Sequence, residues 1–404
     1  MLDILSPAVY IPTIFVLLII IFAYIFAQDA KKIGKTSTKG LPYYDEVAMS
    51  VEYITRNILQ DGRFKYRNNV DPDITYENQT YNSLRHAGTL YSLYLYEKLG
   101  FEKKYHDLRV LSSKYFINRY IKEIDKTKFA VISIPEEENI NIPIAKSGAA
   151  GIALCALSNL LSENEIDLKI LQGLGEFLLS MQSKDGNIYA YYDLDKKEIN
   201  KEAEAVYYTG EAAAGLVCLY EVDPQQKWLD CAKKALFYLH RTQATGNFEP
   251  IFDHWAVFAI EKLVKMNLLV PQEYQLLKDY VEKMAIPMLT AQITNKDHVY
   301  FGAFKDNIRP CSLGTIMEGL AGIYFCTDSE QLKTVIYKSI AIGCMFLSRT
   351  QVKTGQNAGG LPNSANWIKP GVTPNASVIR IDNVQHVICG WLRFQNILKA
   401  RETY

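Results

Sequence analysis

The chain has 404 residues, and its 44 Lys and Arg residues balance its 44 Asp and Glu residues. A nucleic-acid-binding protein held by a basic face usually has a large excess of positive charge, so this balance argues against a nucleic-acid partner. The apolar fraction of 49% is that of a folded protein with a large core. The 27 Tyr and 17 Phe residues either fill that core or line a ring-binding cleft.

The N-terminal part of the sequence contains a candidate membrane anchor. Residues 1–7 form a short tail, and residues 8–27 (AVYIPTIFVLLIIIFAYIFA) contain no charged side chain. This apolar stretch is long enough to span a bilayer, so it predicts one transmembrane helix. Lysines follow in a polar tether of residues 28–40, and the positive-inside rule places the body on the cytoplasmic side. A cleaved signal peptide is the alternative, but it needs basic residues before the apolar segment.

The cysteines indicate reduced, buried thiols. Their number is odd, no CxxC motif occurs, and most lie in apolar helical segments, which is unlike a secreted disulfide framework. Tight Cys and His ligand spacing is missing, so we expect no metal and no cofactor. The seven are Cys155, Cys218, Cys231, Cys311, Cys326, Cys344 and Cys389.

From residue 41 to residue 404 the chain repeats one pattern. An amphipathic helix ends in Gln, a turn rich in Asp, Gly and Asn follows, and an aromatic residue precedes a second helix rich in Ala and Gly. The glutamines are Gln60, Gln182, Gln243, Gln292 and Gln351. The first interval is twice the others, so one copy is hidden there, with helices at about residues 104–121 and 148–161. The body therefore contains six helix pairs.

The two helices of each pair differ in polarity. First helices carry charges on one face, whereas second helices such as SGAAGIALCALSNLL are nearly uncharged after their first turn. A helix that is apolar all round is buried on all sides, so six second helices form an inner ring inside six first helices. The predicted fold class is all-α, an (α/α)6 toroid. An open superhelix is the alternative, but it would leave each second helix exposed on one side.

Polar residues interrupt the apolar pattern near the starts of the second helices. In a closed toroid all six starts face the same end, so these side chains are expected to line one funnel. Burying so many charges without partners or a ligand would cost on the order of several kcal/mol per ion. We therefore predict a functional site in this funnel.

The residue types in the funnel suit sugar chemistry. Paired carboxylates serve as proton donor and base or nucleophile in glycoside cleavage, and the candidates are Glu211, Asp253, Glu318 and Asp382. Histidines could instead take a proton α to a carboxylate, as an epimerase or a lyase requires, and the candidates are His86, His254 and His386. Guanidinium groups would bind an anionic sugar, aromatic rings would stack on it and an amide would contact it; the candidates are Arg85, Arg309, Arg380, Tyr207, Tyr208, Trp255 and Gln385.

Several of these residues have an alternative, structural interpretation. Asp253 precedes a helix and could be only its N-cap, and Asp382 could cap the last helix or pair with Arg380. Each histidine could be a core residue whose hydrogen bonds are satisfied, and a metal site made only of histidines is a further alternative. Glu318 lies deeper in its helix and should have a partner, for which an arginine is the candidate.

Five segments carry a resemblance to known proteins. They are YNSLRHAGTLYSL, YYTGEAAAGLVCLYE, DHWAVFAIEKL, TIMEGLAGIY and RIDNVQH. Together with the repeated turn motif QDGRF and QSKDGNIY, they resemble the six-hairpin glycosidase-like superfamily of (α/α)6 toroids over about residues 41–400. The nearest resemblance is to uncharacterised bacterial toroid proteins, some of them linked to polysaccharide biosynthesis. The resemblance implies an active site at the second-helix starts.

Two hypotheses of function follow. In the first, the protein is a membrane-anchored enzyme of polysaccharide metabolism that acts on an anionic saccharide as a glycoside hydrolase, lyase or epimerase. In the second, it is a non-catalytic glycan-binding or scaffolding subunit of a membrane polysaccharide-assembly complex. The first implies a saccharide ligand, and both allow polysaccharide-biosynthesis proteins as partners.

Overall fold

A computed structural model describes residues 40–71, 73–76, 80–99, 103–243, 250–304, 308–369, 371 and 373–402 of the chain. The helices in chain order are α1 (Tyr44–Arg56), α2 (Ser83–Lys98), α3 (His106–Tyr120), α4 (Pro135–Glu138), α5 (Ser147–Leu157), α6 (Leu168–Ser180), α7 (Tyr208–Val222), α8 (Gln226–Gln243), α9 (His254–Lys265), α10 (Pro271–Ala291), α11 (Pro310–Cys326), α12 (Glu330–Thr350) and α13 (Ile381–Glu402). The strands are β1 (Arg67–Asn69), β2 (Ile121–Asp125), β3 (Lys128–Ser133), β4 (Ile144–Lys146), β5 (Tyr191–Asp193), β6 (Glu198–Asn200) and β7 (Val378–Arg380).

The inner helices form a closed ring. Helix α2 packs on α5, α5 on α7, α7 on α9, α9 on α11, α11 on α13, and α13 on α2. Every residue of α5 is buried, as expected for a helix surrounded by protein. Outer helices bury only one face, as α8 does with Trp228, Ala232 and Leu236. The (α/α)6 toroid predicted from the sequence is confirmed, and the predicted helix bounds lie within a few residues of those observed.

Four glutamines of the repeat join their own hairpin to the next one. Their side-chain amides donate to a backbone carbonyl of the following outer helix: Gln182 to Cys231 of α8 at 2.9 Å, Gln292 to Ser339 of α12 at 3.0 Å, and Gln351 to Glu46 of α1 at 2.8 Å. Gln243 accepts a hydrogen bond from the Tyr280 hydroxyl of α10 at 2.9 Å. The last of these glutamines, on the sixth hairpin, therefore reaches the first.

One repeat position was assigned wrongly. Gln60 is exposed, and the residue that occupies the corresponding place is Ile58, which bridges Phe64 as Gln182 bridges Ile188. Both bridges close a turn whose glycine has positive φ, Gly62 in one and Gly186 in the other. The first hairpin therefore keeps the turn geometry without the glutamine.

The all-α prediction is wrong in one respect, because the chain also forms β-structure. Strands β2-β3-β4-β5-β6 make a five-stranded antiparallel sheet, and β1 pairs with β7. The sheet comes from segments that the repeat pattern left as connections, including the β-branched stretch of β3, which pairs Ile132 with Ala145 of β4. Since β4 runs directly into α5, the sheet borders the end of the ring where the inner helices begin.

The predicted membrane location, with the toroid on the cytoplasmic side, is corrected. Across the ranges given above, no helix combines the length and the apolar character needed to cross a membrane. The predicted transmembrane helix of residues 8–27, like the preceding tail and nearly all of the tether, lies outside the described residues.

Glycines set the spacing of the inner helices, and this can be tested by adding one methyl group. A Cβ on Gly151 of α5 would lie 2.2 Å from the Glu211 backbone oxygen of α7. Neither backbone can yield without separating the helices, so we expect Gly151→Ala to lower the free energy of unfolding by about 1–3 kcal/mol in urea titrations.

Gly343→Ala on the outer helix α12 is the matched control. The atom nearest to its added Cβ is the flexible Met317 sulfur at 3.2 Å. The helical propensity of alanine should make this change neutral or stabilising by up to about 1 kcal/mol. Equal losses in both variants would contradict the close-packing argument.

Candidate active site

A cavity of about 500 Å³ lies at the end of the ring where the inner helices begin. Eight of the residues predicted from the sequence line it together: Arg85, Tyr207, Glu211, His254, Trp255, Asp382, Gln385 and His386. Apolar side chains such as Phe252, Met288 and Phe304 complete the wall. The structure thus brings most of the predicted funnel residues to one pocket.

Missing Cβ atoms create the space for the polar side chains. A Cβ on Gly148 would lie 2.0 Å from Glu211 Oε2, and one on Gly210 would lie 2.1 Å from Asp253 Oδ2. On the other side of the ring, Gly88 faces the Gln385 amide. In each case the glycine belongs to the neighbouring inner helix, so the small residue on one helix leaves space for a polar side chain of the next.

Asp253 caps helix α9 and retains one free oxygen. Its Oδ1 accepts hydrogen bonds from the backbone N–H groups of Trp255 at 3.0 Å and Ala256 at 3.1 Å. Its Oδ2 is buried without a hydrogen-bond partner among the described residues. Burial raises the pKa of Asp253 to about 7, against the lowering effect of the two backbone hydrogen bonds. The capping interpretation is correct, and the side chain also carries a titratable proton.

Glu211 forms a second buried acid beside Asp253. Its Oε2 has no hydrogen-bond partner in the described part of the chain. Burial raises its pKa to about 8, the charge of Asp253 adds to this, and Lys146 at the end of β4 opposes it. A carboxyl group with such a pKa is mostly protonated at neutral pH, so Glu211 can donate as well as accept a hydrogen bond.

Asp382 is held by two arginines. Arg380 binds it through Nε–Oδ1 at 2.5 Å and Nη2–Oδ2 at 2.8 Å, and Arg85 Nε lies 3.0 Å from Oδ2. Burial works against ionisation, but the hydrogen bond from Arg380 and the charges of both guanidinium groups hold the pKa of Asp382 below its usual range. Asp382 is therefore an anion that orients Arg85, and the predicted pairing with Arg380 is correct.

Two histidines and a glutamate meet at the base of the cavity. The rings of His254 on α9 and His386 on α13 have centroids 5.5 Å apart in an edge-to-face arrangement. His386 Nδ1 lies 2.8 Å from Glu318 Oε1 of α11. Neither ring nitrogen of His254 has a hydrogen-bond partner within the described ranges, and burial lowers its pKa well below the usual value. His254 is therefore a neutral imidazole facing the cavity.

A buried ion pair supports the histidines from below. Arg393 follows His386 by two turns on α13, and Glu261 follows His254 by two turns on α9. The Arg393 guanidinium pairs with the Glu261 carboxylate, and Gly322 of α11 leaves room for both. Sequence analysis missed this pair, although each charge follows a site histidine by seven residues, and this spacing places both on one face of the helix.

His86 lies outside the cavity, which corrects its assignment to the catalytic set. It is fully buried, with Nδ1 2.7 Å from the Tyr81 hydroxyl and Nε2 3.2 Å from the Ser112 backbone oxygen. The rings of Phe64 and Phe116 pack against it, and burial lowers its pKa to about 3. His86 is a core histidine, as the structural alternative holds.

Tyr208 and Arg309 also lie outside this cavity. Tyr208 packs edge-on against Tyr191 of β5, with ring centroids 5.5 Å apart. Arg309 is exposed beside a neighbouring polar cavity of about 550 Å³ that Asn363 and Asn375 also line. Tyr66, which sequence analysis did not select, accepts a hydrogen bond from Arg85 Nη1 at 2.5 Å. Its only sequence signal was its place after the DGRF turn.

Among the described residues, two groups of side chains have the composition of a metal site. His254, Glu318 and His386 bring one ligand atom each within 4.8 Å of one another, a two-histidine, one-carboxylate set. Glu97, His106 and Glu163 do the same, but Arg109 already binds Glu97 at 2.9 Å and Glu163 at 3.0 Å. Only the first group therefore has the charge balance to accept a cation, and the expectation of no metal stays a prediction.

No protein-family model and no curated protein sequence matches the chain. Solved structures with the same fold include a GH76 α-1,6-mannanase from a Salegentibacter species, with TM-score 0.59 and 12% identity over 88% of this chain and 99% of that one. A D-mannose isomerase has TM-score 0.63 and 12% identity over 87% and 96%. Cellobiose 2-epimerase from Bacillus thermoamylovorans has TM-score 0.61 and 11% identity over 86% and 98%. The chain therefore shares the (α/α)6 toroid fold of these structures.

The raised pKa of Glu211 predicts how stability depends on pH. The folded protein holds this proton up to about pH 8, whereas the unfolded chain releases it near pH 4.5. The stability that protonated Glu211 contributes to the folded protein is therefore fully present below pH 4.5 and is lost as the pH rises to about 8. Glu211→Gln removes this titration. Urea titrations at pH 5 and pH 8 should therefore show that the free energy of unfolding falls less with rising pH in the variant than in the wild type, by a few kcal/mol.

Glu123→Gln, at an exposed position of β2, is the control and should retain the pH dependence of the wild type. Asp253 keeps its own raised pKa in both variants, so part of the dependence remains in Glu211→Gln. An unchanged slope in Glu211→Gln would show that this carboxyl group is ionised in the folded protein at neutral pH.

Proposed function

We propose that the protein is a sugar 2-epimerase or an aldose–ketose isomerase. The observation that carries the proposal is the pair of histidines at the base of the cavity, one bound to Glu318 and the other without hydrogen-bond partners in the described structure. Both reactions begin by removing the proton from the carbon next to a carbonyl group. An imidazole with one nitrogen held by a carboxylate is suited to that step.

His386 is the proposed base. If its Nδ1–H donates to the Glu318 carboxylate at 2.8 Å, the lone pair of Nε2 is available to take the proton from C2 of the open-chain sugar. The carboxylate also stabilises the imidazolium that forms. The charge of Arg393 acts on both Glu318 and His254 and helps to hold these groups in position below the cavity.

His254 is the proposed second proton-transfer group. Because it is neutral, its N–H can donate to the carbonyl oxygen of the sugar while its other nitrogen accepts a hydroxyl proton. Return of the proton to C2 on the opposite face would give an epimer, and its delivery to C1 would give an isomer. Trp255 and Tyr207 provide aromatic surface in the same cavity.

One difference from the mannanase favours proton transfer over hydrolysis. Two of the similar structures are a D-mannose isomerase and a cellobiose 2-epimerase. In the mannanase, a variant with two consecutive aspartates replaced is described as inactive and was crystallised with α-1,6-mannotriose. The present chain has no two consecutive aspartates anywhere. Hydrolysis by the acids Glu211 and Asp253 remains the second candidate, because their raised pKa values suit a general acid.

The arginine side of the cavity supports an anionic group on the sugar. Arg85 and Arg380 together carry one more charge than Asp382 neutralises. Arg85 lines the cavity with its side chain about one third exposed, so it can face a ligand. On the opposite side, Glu211 is mostly protonated at neutral pH and Asp253, with a pKa of about 7, is about half protonated, so both would receive hydroxyl groups. A sugar with a carboxylate at the Arg85 end fits this distribution of charge.

Proton nuclear magnetic resonance in D₂O distinguishes the two reactions. With D-mannose, cellobiose and mannuronate as probes, an epimerase or isomerase replaces the C2 proton by deuterium. With α-1,6-mannotriose, a hydrolase releases new reducing ends without carbon-bound deuterium. We expect deuterium at C2, and loss of this exchange by about 10²–10⁴-fold in His386→Asn and His254→Asn, because general acid–base catalysis contributes that much. Glu318→Gln should lose less.

His298→Asn, at an exposed turn, is the matched control and should keep full exchange. A chelator included in parallel tests whether the His254, Glu318 and His386 group needs a metal ion. Release of reducing ends that requires Glu211 would favour the hydrolase. Sugar affinity without turnover in the wild type would contradict both enzymes and support the non-catalytic glycan-binding alternative.

A further inference from the structure

Apart from the polar cavity beside Arg309, a second cavity lies at the opposite end of the ring, where the inner helices end. Its volume is about 350 Å³, and aromatic side chains including Tyr91 and Phe258 form part of its wall. Two cysteines, Cys155 of α5 and Cys218 of α7, also line it. None of the site residues described above except Arg393 and Glu261 borders this cavity, so it is separate from the candidate active site.

The two cysteines are in direct contact. Their sulfur atoms lie 3.6 Å apart, and both thiols are free. The contact follows from the close approach of the two helices one turn earlier, where a Cβ on Gly215 would lie 2.4 Å from the Gly151 backbone oxygen. Because the helices are already at minimum separation, small side-chain rotations bring the sulfur atoms within bonding distance.

The electrostatic surroundings make the two thiols unequal. The contact with the Cys155 thiol lowers the pKa of Cys218, the ammonium group of Lys262 lowers it further, and burial and Glu221 oppose them. Burial raises the pKa of Cys155 well above its usual value, and its contact with Cys218 adds to this. Burial likewise raises the pKa of the other five cysteines. Lys262 belongs to α9, which packs directly against α7, so its ammonium group favours Cys218 of α7 as the nucleophile and leaves Cys155 as its protonated neighbour.

We propose that Cys155 and Cys218 form a redox-active dithiol that a small peroxide entering this second cavity converts to a disulfide. The Cys218 thiolate attacks one peroxide oxygen, which breaks the O–O bond and leaves a sulfenic acid on Cys218 and an alcohol or water. The Cys155 sulfur then attacks the sulfenic sulfur and expels water. Two thiols and one peroxide thus give one disulfide, one alcohol and one water, or two waters from hydrogen peroxide.

Charge favours this reaction over capture of a thiophilic metal ion. The cavity wall carries Lys98, Lys262, Lys265 and Arg393 against Glu221 and Glu261, an excess of positive charge. Cations stabilise a thiolate nucleophile but repel a metal ion. The proposal does not depend on the sugar chemistry at the other end of the ring.

The test uses the full chain and hydrogen peroxide. Thiol titration in denaturant should show loss of two of the seven thiols, and non-reducing peptide mapping by mass spectrometry should find the segment with Cys155 linked to the segment with Cys218. In Cys155→Ser the sulfenic acid on Cys218 should persist and be trapped by dimedone. In Cys218→Ser the remaining thiols should resist the same dose. Lys262→Met should slow thiol loss by about tenfold, the effect of one pKa unit on thiolate fraction.

Cys231→Ser, on the outer helix α8, is the matched control and should form the same disulfide at the wild-type rate. Circular dichroism checks that each variant is folded. The peptide map of the oxidised wild-type protein tests for the disulfide even if a variant does not fold. A different pair of linked cysteines, or loss of thiols without the Cys155–Cys218 link, would overturn the proposal.

Discussion

The absence of a Cβ beside several site residues is the constraint on which the rest of the structure depends. Gly148 leaves space for the Glu211 carboxyl group, Gly210 for that of Asp253, and Gly314 for the backbone at His386. Any larger residue would push two inner helices apart and widen the ring. The same close approach keeps water from the carboxyl groups, and their raised pKa values follow from that exclusion. Ring geometry and site chemistry therefore share one cause.

The repeat pattern was sufficient to predict the ring and much of the cavity. Uncharged second helices can only be buried, and parallel inner helices must present their first turns together, so the sequence alone predicts that Arg85, Glu211 and His386 lie at one end of the ring, as they do. This inference needs only the direction of each helix. It does not need to know which neighbours a side chain meets.

Predictions that depended on neighbours were less accurate. His86 follows Arg85 by one residue in the first turn of α2, but the turn of the helix points its ring outward, against Phe116 of α3. The sequence does not show which residues surround it there. The pairing of Asp382 with Arg380, two residues away, was predicted, but its second partner, Arg85, comes from α2 and is far away in sequence. The five-stranded sheet was missed because its short strands lie in connections, where the helical repeat gave no information. Long-range packing decides each of these cases.

The glutamine contacts between successive outer helices have a consequence for how the molecule unfolds. In a linear array of repeats, the terminal units have one neighbour and can fray separately. Here Gln351 donates to Glu46 with the same type of bond that joins Gln182 to the following hairpin. No hairpin is then terminal, and losing one removes a neighbour from two others. The toroid should melt as a single cooperative unit, without a weak end from which disorder can spread.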